Sequence, residues 1–228
     1  MTRVIAHRGA SARFAENTCA AFAGARTLGA DWVELDVRRT ADGALAVHHD
    51  AHLPDGRAIV DTDAAALPAS VPDLVTALDA CEPLGVNVEI KNLPGDPDFD
   101  PACGLVAKVA AVVATRTQEI LVSSFHGETL DVLRDLEPSV ATALLTFALH
   151  DHEQTVDSVA AAGHVALHPF DATVDAALVG MCHERGLAVN VWTVDDPGRI
   201  AELAALGVDG IVTNVPDVAR AVLEETSG

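Results

Sequence analysis

Short runs rich in β-branched and aliphatic residues alternate with longer, alanine-rich amphipathic stretches from one end of the chain to the other. This alternation constrains the fold more than any other feature, because it predicts βα units around a parallel sheet. Strands are expected at Val4–His7, Trp32–Val37, Ala44–His48, Asn87–Lys91, Ile120–Phe125, Ala141–Thr146, His164–His168, Ala188–Thr193 and Gly210–Thr213. Helices are expected between them, among them Thr18–Leu28, Pro72–Cys81, Leu105–Thr115, Thr173–Arg185 and Pro197–Leu206.

Nine strands are one more than an eight-stranded barrel holds, and the connection from Asp36 to Ala44 is too short for a crossover helix. One run is therefore read as a hairpin partner. Asp42-Gly43 supplies the turn, and folding back about it would set His49 roughly opposite Asp36. Size and repeat fit an α/β fold, a (β/α)8 TIM barrel with a short excursion over Asp50–Val71 after the third strand. A doubly wound open sheet is the alternative, but no GxGxxG follows the first strand and no P-loop is present.

At 228 residues, half of them hydrophobic, the chain suits one large core, read as a single domain over residues 1–228. No apolar stretch approaches the ~18 residues of a membrane span, and MTRVIAHRGA lacks a signal-peptide pattern. A cytoplasmic protein without stable membrane insertion is expected. Cys19, Cys81, Cys103 and Cys182 form no CxxC pair and read as buried thiols. The net charge of −20 argues against nucleic acid and anionic membrane surfaces as partners.

The strand ends carry the chemistry. Glu34 and Asp36 stand two apart on one strand and so share a face, where two carboxylates repel unless a cation or proton intervenes. Glu89, at another strand end, is the expected third ligand. An all-oxygen set favours one divalent cation, Mg2+ or Ca2+, with Mn2+ also admitted. His7 and His49 supply imidazoles for acid–base catalysis. Asp50 could orient His49 or reach the metal. Arg8 and Lys91 offer fixed positive charge for a phosphate group. Asn17 is read as a cap of the first helix or a substrate contact. Phe125 and Trp192 are two of only eight aromatic residues and sit where they could line a pocket, and His168 ends a strand with no role assigned. His150–Glu153 reads as a solvated loop. Together the strand ends read as a site for metal-assisted phosphodiester hydrolysis.

Five strings in order, AHRG at Ala6–Gly9, ENT at Glu16–Thr18, GADWVELDV at Gly29–Val37, HHDAHL at His48–Leu53 and NVEIK at Asn87–Lys91, resemble the glycerophosphodiester phosphodiesterase family. SSF at Ser123–Phe125, NVWTVDD at Asn190–Asp196 and GVDGIVTNVPD at Gly207–Asp217 extend the likeness more thinly. The resemblance implies a TIM barrel that hydrolyses a small-molecule glycerophosphodiester to glycerol 3-phosphate and an alcohol in two steps. In the first, the neighbouring glycerol hydroxyl attacks phosphorus while the two histidines exchange protons with it and with the leaving alcohol. Water then opens the cyclic phosphate. The family's His-Asp pair falls on His49-Asp50, leaving His48 a structural role. A lysophospholipase D on the same site is the alternative within enzymes, and a non-catalytic phosphate-binding barrel the alternative outside them. A serine or cysteine nucleophile fits poorly, for want of a GxSxG elbow.

Overall fold

The computed structural model describes residues 1–226; the expected domain, 1–228, ends in two residues outside that range. Nine strands and eight α-helices alternate among the described residues: β1 (Arg3–His7), α1 (Cys19–Thr27), β2 (Trp32–Arg39), β3 (Leu45–Val47), α2 (Leu74–Cys81), β4 (Gly85–Ile90), α3 (Gly104–Val113), β5 (Ile120–Ser124), α4 (Gly127–Leu136), β6 (Ala141–Thr146), α5 (His152–Ala161), β7 (Ala166–Pro169), α6 (Ala176–Glu184), β8 (Ala188–Val191), α7 (Pro197–Leu206), β9 (Gly210–Thr213) and α8 (Pro216–Thr226). All nine expected strands form, within two residues at most ends. No helix among the described residues is long and apolar enough to cross a membrane.

Eight strands pair in parallel in the order β1, β2, β4, β5, β6, β7, β8, β9, and β9 closes on β1. The result is a (β/α)8 barrel. The ninth, β3, pairs antiparallel with the end of β2. It takes the edge of β2 that β1 leaves free after Glu34. The hairpin forms as expected but its register is corrected: the amide of His48, not His49, donates to the Asp36 carbonyl. The connection is not a two-residue turn. Thr40 and Ala44 bond to each other, leaving a three-residue loop with Gly43 at φ +75°, and the odd loop shifts the pairing by one.

Strand alternation divides the core in two. Val33, Leu35 and Val37 of β2 and Val86, Val88 and Ile90 of β4 face the helices and join the large outer core. Ile5, Trp32, Leu121, Ala143, Ala166 and Val212 face inward and fill the barrel floor. Trp32 fits because Gly85 beside it lacks a side chain; a Cβ there would lie 2.3 Å from the indole. Above this floor the inward positions of β1, β2 and β4 turn polar, and the site occupies the C-terminal mouth, as the architecture dictates.

Thr18, Asp73, Asp151, Asp175 and Asp196 each cap a helix by accepting a backbone N–H in its first turn. Two expectations are corrected here. The first helix is capped by Thr18, not Asn17, and His150–Glu153 is no simple loop, because Asp151 caps α5 and His152 begins it. The stretch expected as helix from Thr173 holds a 3-10 turn at Asp171–Thr173 before α6. The Asp50–Val71 excursion contains two short 3-10 turns and buries Ile59 against Ala46 and Leu53. The four thiols are free, three of them buried and Cys19 partly so.

Arg8 at φ +55° and Gly9 at φ +80° turn the chain sharply after β1, and a Cβ on Gly9 would lie 2.6 Å from the Ala21 backbone. Gly9→Ala is therefore expected to destabilise the fold by about 1–3 kcal/mol through overpacking and strain, read as a lowered urea midpoint. An unchanged midpoint would contradict this account of the turn.

Candidate active site

The parallel register assembles the site. His7 pairs with Glu34 and Asp36 with Glu89, so neighbouring strands present these side chains at one height inside the barrel. Glu34, Asp36 and Glu89 are buried, and one oxygen from each lies within 4.8 Å of the others. Lys91 stands between two of them, with Nζ 2.9 Å from Asp36 Oδ1 and 2.6 Å from Glu89 Oε1. The Arg8 amide donates to Glu34 Oε2 at 2.9 Å. Arg8 Nη1 reaches both oxygens of Glu16 at 3.0 Å, and its Nε lies 3.4 Å from Asp36.

These neighbours set the charges. Burial, then the charges of Asp36 and Glu89, push Glu34 well above the usual carboxylate range. Burial acts on Asp36 too, but Lys91, His49, Arg8 and the Asn17 amide outweigh it and hold that carboxyl below the range. At Glu89 burial prevails over the pull of Lys91. Burial would lower Lys91, yet Glu89 and Asp36 raise it above its ordinary value. Glu34 Oε1 is buried without a hydrogen-bond partner among the described residues. An unpartnered oxygen in an all-oxygen trio fits a hard divalent cation, so Glu34, Asp36 and Glu89 could hold one.

Both imidazoles are oriented through Nδ1. His7 Nδ1 lies 2.8 Å from Asn214 Oδ1, whose amide nitrogen donates to Asp195 at 2.7 Å. The Asn214 oxygen therefore accepts, the His7 proton sits on Nδ1, and Nε2 keeps its lone pair. His49 Nδ1 lies 2.7 Å from Asp50 Oδ1. The His49 carbonyl is clamped by Arg38 Nε at 2.8 Å, and Arg38 is itself paired to Asp98 and Asp96. Burial, then the Arg8 charge, lowers the His7 pKa. Burial lowers that of His49, with Asp36 opposing and Lys91 and Arg8 adding to the effect.

A cavity of about 270 Å3 joins His7, Arg8, Glu34, His49, Glu89 and Lys91 to Phe125 and Trp192. Asp36 and Asn17 lie behind it. Asn17, at φ +54°, donates to Asp36 Oδ2 at 2.8 Å and accepts the Asp36 amide at 3.3 Å, so its side chain orients a carboxylate rather than facing the cavity. Asn87, Leu93, Leu145, Phe147, His168, Thr193 and Val212 also line it, and sequence reasoning gave none of them a role. Alternation offered a signal for Asn87, two residues before Glu89. Asn214 and Asp195 lie within quoted strings, but their link to His7 is tertiary. Phe125 stacks on Phe147 with centroids 4.0 Å apart, and Trp192 meets both edge-on.

Residues 7–218 match the model of the glycerophosphoryl diester phosphodiesterase family, and the class that fold and site define is a phosphoric diester hydrolase on a (β/α)8 barrel. The chain belongs to the glycerophosphoryl diester phosphodiesterase family. It is 32% identical to a glycerophosphodiester phosphodiesterase of Bacillus altitudinis over 99% of both chains. It is 31% identical to one of Caldanaerobacter subterraneus over 95% of both. Among solved structures, an Oleispira antarctica phosphodiesterase in complex with the product sn-glycerol-3-phosphate superposes with a TM-score of 0.89, at 25% identity over 98% of this chain and 97% of that one.

With divalent cations chelated, His7 and His49 are expected to titrate below the ordinary imidazole value of about 6.5, followed by ring C–H shifts in NMR. The folded protein then binds fewer protons at these rings than the unfolded chain just below that pH. Their contribution to stability is lost as pH falls through this window. A midpoint above the ordinary value at either ring would contradict the environments described.

Proposed function

We propose that the chain hydrolyses glycerophosphodiesters to glycerol 3-phosphate and an alcohol, with His7 and His49 as the acid–base pair and Glu34, Asp36 and Glu89 holding one divalent cation, Mg2+ or Ca2+, with Mn2+ also admitted. The observation that carries the reading is the partnerless Glu34 oxygen within a trio of buried carboxylates, two of which, Glu34 and Glu89, face the cavity that both imidazoles line. The bound cation would supply positive charge to phosphate oxygens. The relative seen with sn-glycerol-3-phosphate supports the product assigned.

The chain's own residues account for the proton transfers. The glycerol hydroxyl beside the ester attacks phosphorus as one Nε2 takes its proton. The P–O bond to the alcohol breaks as the other imidazole returns a proton to the leaving oxygen. Water then opens the cyclic phosphate with the roles reversed. Asn214 and Asp50 keep each ring turned so that Nε2 is the reacting nitrogen. Arg8 and Lys91 hold the phosphate against the charged wall, while Phe125 and Trp192 receive the organic part of the substrate.

The aromatic wall favours a second reading. Phe147 is 60% exposed and Phe170 40%, an apolar mouth suited to the acyl chain of a lysophospholipid, whereas the short polar Asp50–Val71 excursion favours small soluble diesters.

The test is product release from glycerophosphodiesters and lysophosphatidylcholine by metal-stripped protein with Mg2+, Ca2+ or Mn2+ restored singly. His49→Ala is expected to lower kcat by about 10²–10⁴. Glu34→Gln should abolish both cation-dependent turnover and the cation's upward shift of Tm. Turnover indifferent to cation, or retained in both variants, would defeat the proposal. Preference for lysophosphatidylcholine would select the second reading.

A further inference from the structure

His168 stands on the inward face of β7, which the strand order places across the barrel from β2 and its two carboxylates. The residue is 1% exposed and lines the cavity, yet the proposed proton transfers do not use it. Asn190 Nδ2 lies 2.8 Å from His168 Nε2 and donates to it, which puts the proton of the neutral ring on Nδ1. That atom is buried and has no hydrogen-bond partner among the described residues. Burial drives the imidazole down to about 3, so the ring is uncharged wherever the protein is assayed. The strand is fixed from above by Trp192, whose indole donates to the His168 carbonyl at 2.8 Å.

The surroundings select the ligand chemistry. Leu145, Phe147, Trp192 and Val212 make this wall of the cavity apolar, and the fixed cations Arg8 and Lys91 lie on the wall formed by β1, β2 and β4. An anion gains nothing here, and a cation would face a lone N–H. A hydroxyl fits, and because it both donates and accepts it satisfies Nδ1 whichever way the Asn190 amide is turned. Phosphorus and the attacking hydroxyl belong at the charged wall, so the hydroxyl that reaches across is the one farthest from phosphorus. We propose that His168 Nδ1 binds the terminal hydroxyl of the glycerol moiety and so selects glycerol diesters over diesters of smaller diols. The assignment rests on the phosphodiesterase reading above.

The experiment compares kcat/KM for two choline phosphodiesters, one of glycerol and one of propane-1,2-diol, which keeps the attacking hydroxyl and lacks only the terminal one. The wild-type protein is expected to prefer the glycerol diester by about 10–100-fold, the loss that follows when a buried polar group is left unpaired. His168→Phe should lower turnover of the glycerol diester by a similar factor while changing the propanediol diester by less than about threefold, and His168→Asn, which restores an N–H, should recover most of the preference. Equal use of the two diesters by wild type overturns the proposal even if His168→Phe does not fold. So does a variant that loses both diesters alike. If wild type cleaves neither with any cation, the phosphodiesterase reading itself has failed, and the His168 assignment falls with it.

Discussion

Three buried carboxylates with oxygens inside 4.8 Å of one another would repel by about 3–4 kcal/mol per ionised pair at an effective dielectric constant of about 20. The rest of the site is arranged around that repulsion. Lys91 bridges two of the three, Arg8 offers its amide to the third and its guanidinium to Asp36, and Asn17 meets Asp36 with both ends of its amide. The compensation is uneven: Asp36 is held ionised while Glu34 is pushed toward its protonated form. Burial first, and the charges of Asp36 and Glu89 after it, thus act most strongly on Glu34, whose Oε1 has no hydrogen-bond partner among the described residues.

Barrel closure makes the arrangement enforceable. His7 beside Glu34 and Asp36 beside Glu89 are consequences of two parallel registers, and a slip of one residue in either would turn an imidazole or a carboxylate outward into the helical core. The register is held by that core, where the alternate residues of the same strands, Val4 and Ala6, Val33, Leu35 and Val37, and Val86, Val88 and Ile90, are buried aliphatic side chains. Packing energy on the outside of the barrel thus fixes charges on the inside.

The strands and the charged half of the site were legible because their signals are local. Period-two alternation puts Glu34 with Asp36 and Glu89 with Lys91, and the helix α2 before β4 marks the crossover that returns the chain to the parallel strand beside β2. Register was less legible: the hairpin turned on whether Gly43 closes a two- or three-residue loop, and only the structure shows the Thr40–Ala44 pair that decides it. Asn17 was misplaced for a related reason. An asparagine just before a helix satisfies the pattern of a cap, and nothing local reveals that its left-handed backbone turns the amide toward Asp36. His168 ended an expected strand, but its significance lies in a partnerless atom and in a position across the barrel, both properties of closure.

The two walls of the cavity also reconcile a strongly acidic chain with an anionic substrate. A phosphodiester approaching a protein of net charge −20 is repelled at long range, and salt screens that repulsion within about 10 Å. Inside the pocket screening fails, and Arg8 and Lys91 are already engaged by Glu16, Asp36 and Glu89. Their positive charge is partly offset by the protein's own carboxylates, so what they offer a phosphate is hydrogen bonds with less net charge than two free cations would carry. A further lysine would meet the same fate, since its single charge would be neutralised by the nearest acid. In the proposed reading a divalent ion held by Glu34, Asp36 and Glu89 would differ, because it would bring two positive charges to one point. The aromatic wall opposite carries no charge of its own: it leaves the field of the charged wall unopposed and, in the same reading, would give the uncharged end of the substrate a surface to desolvate against.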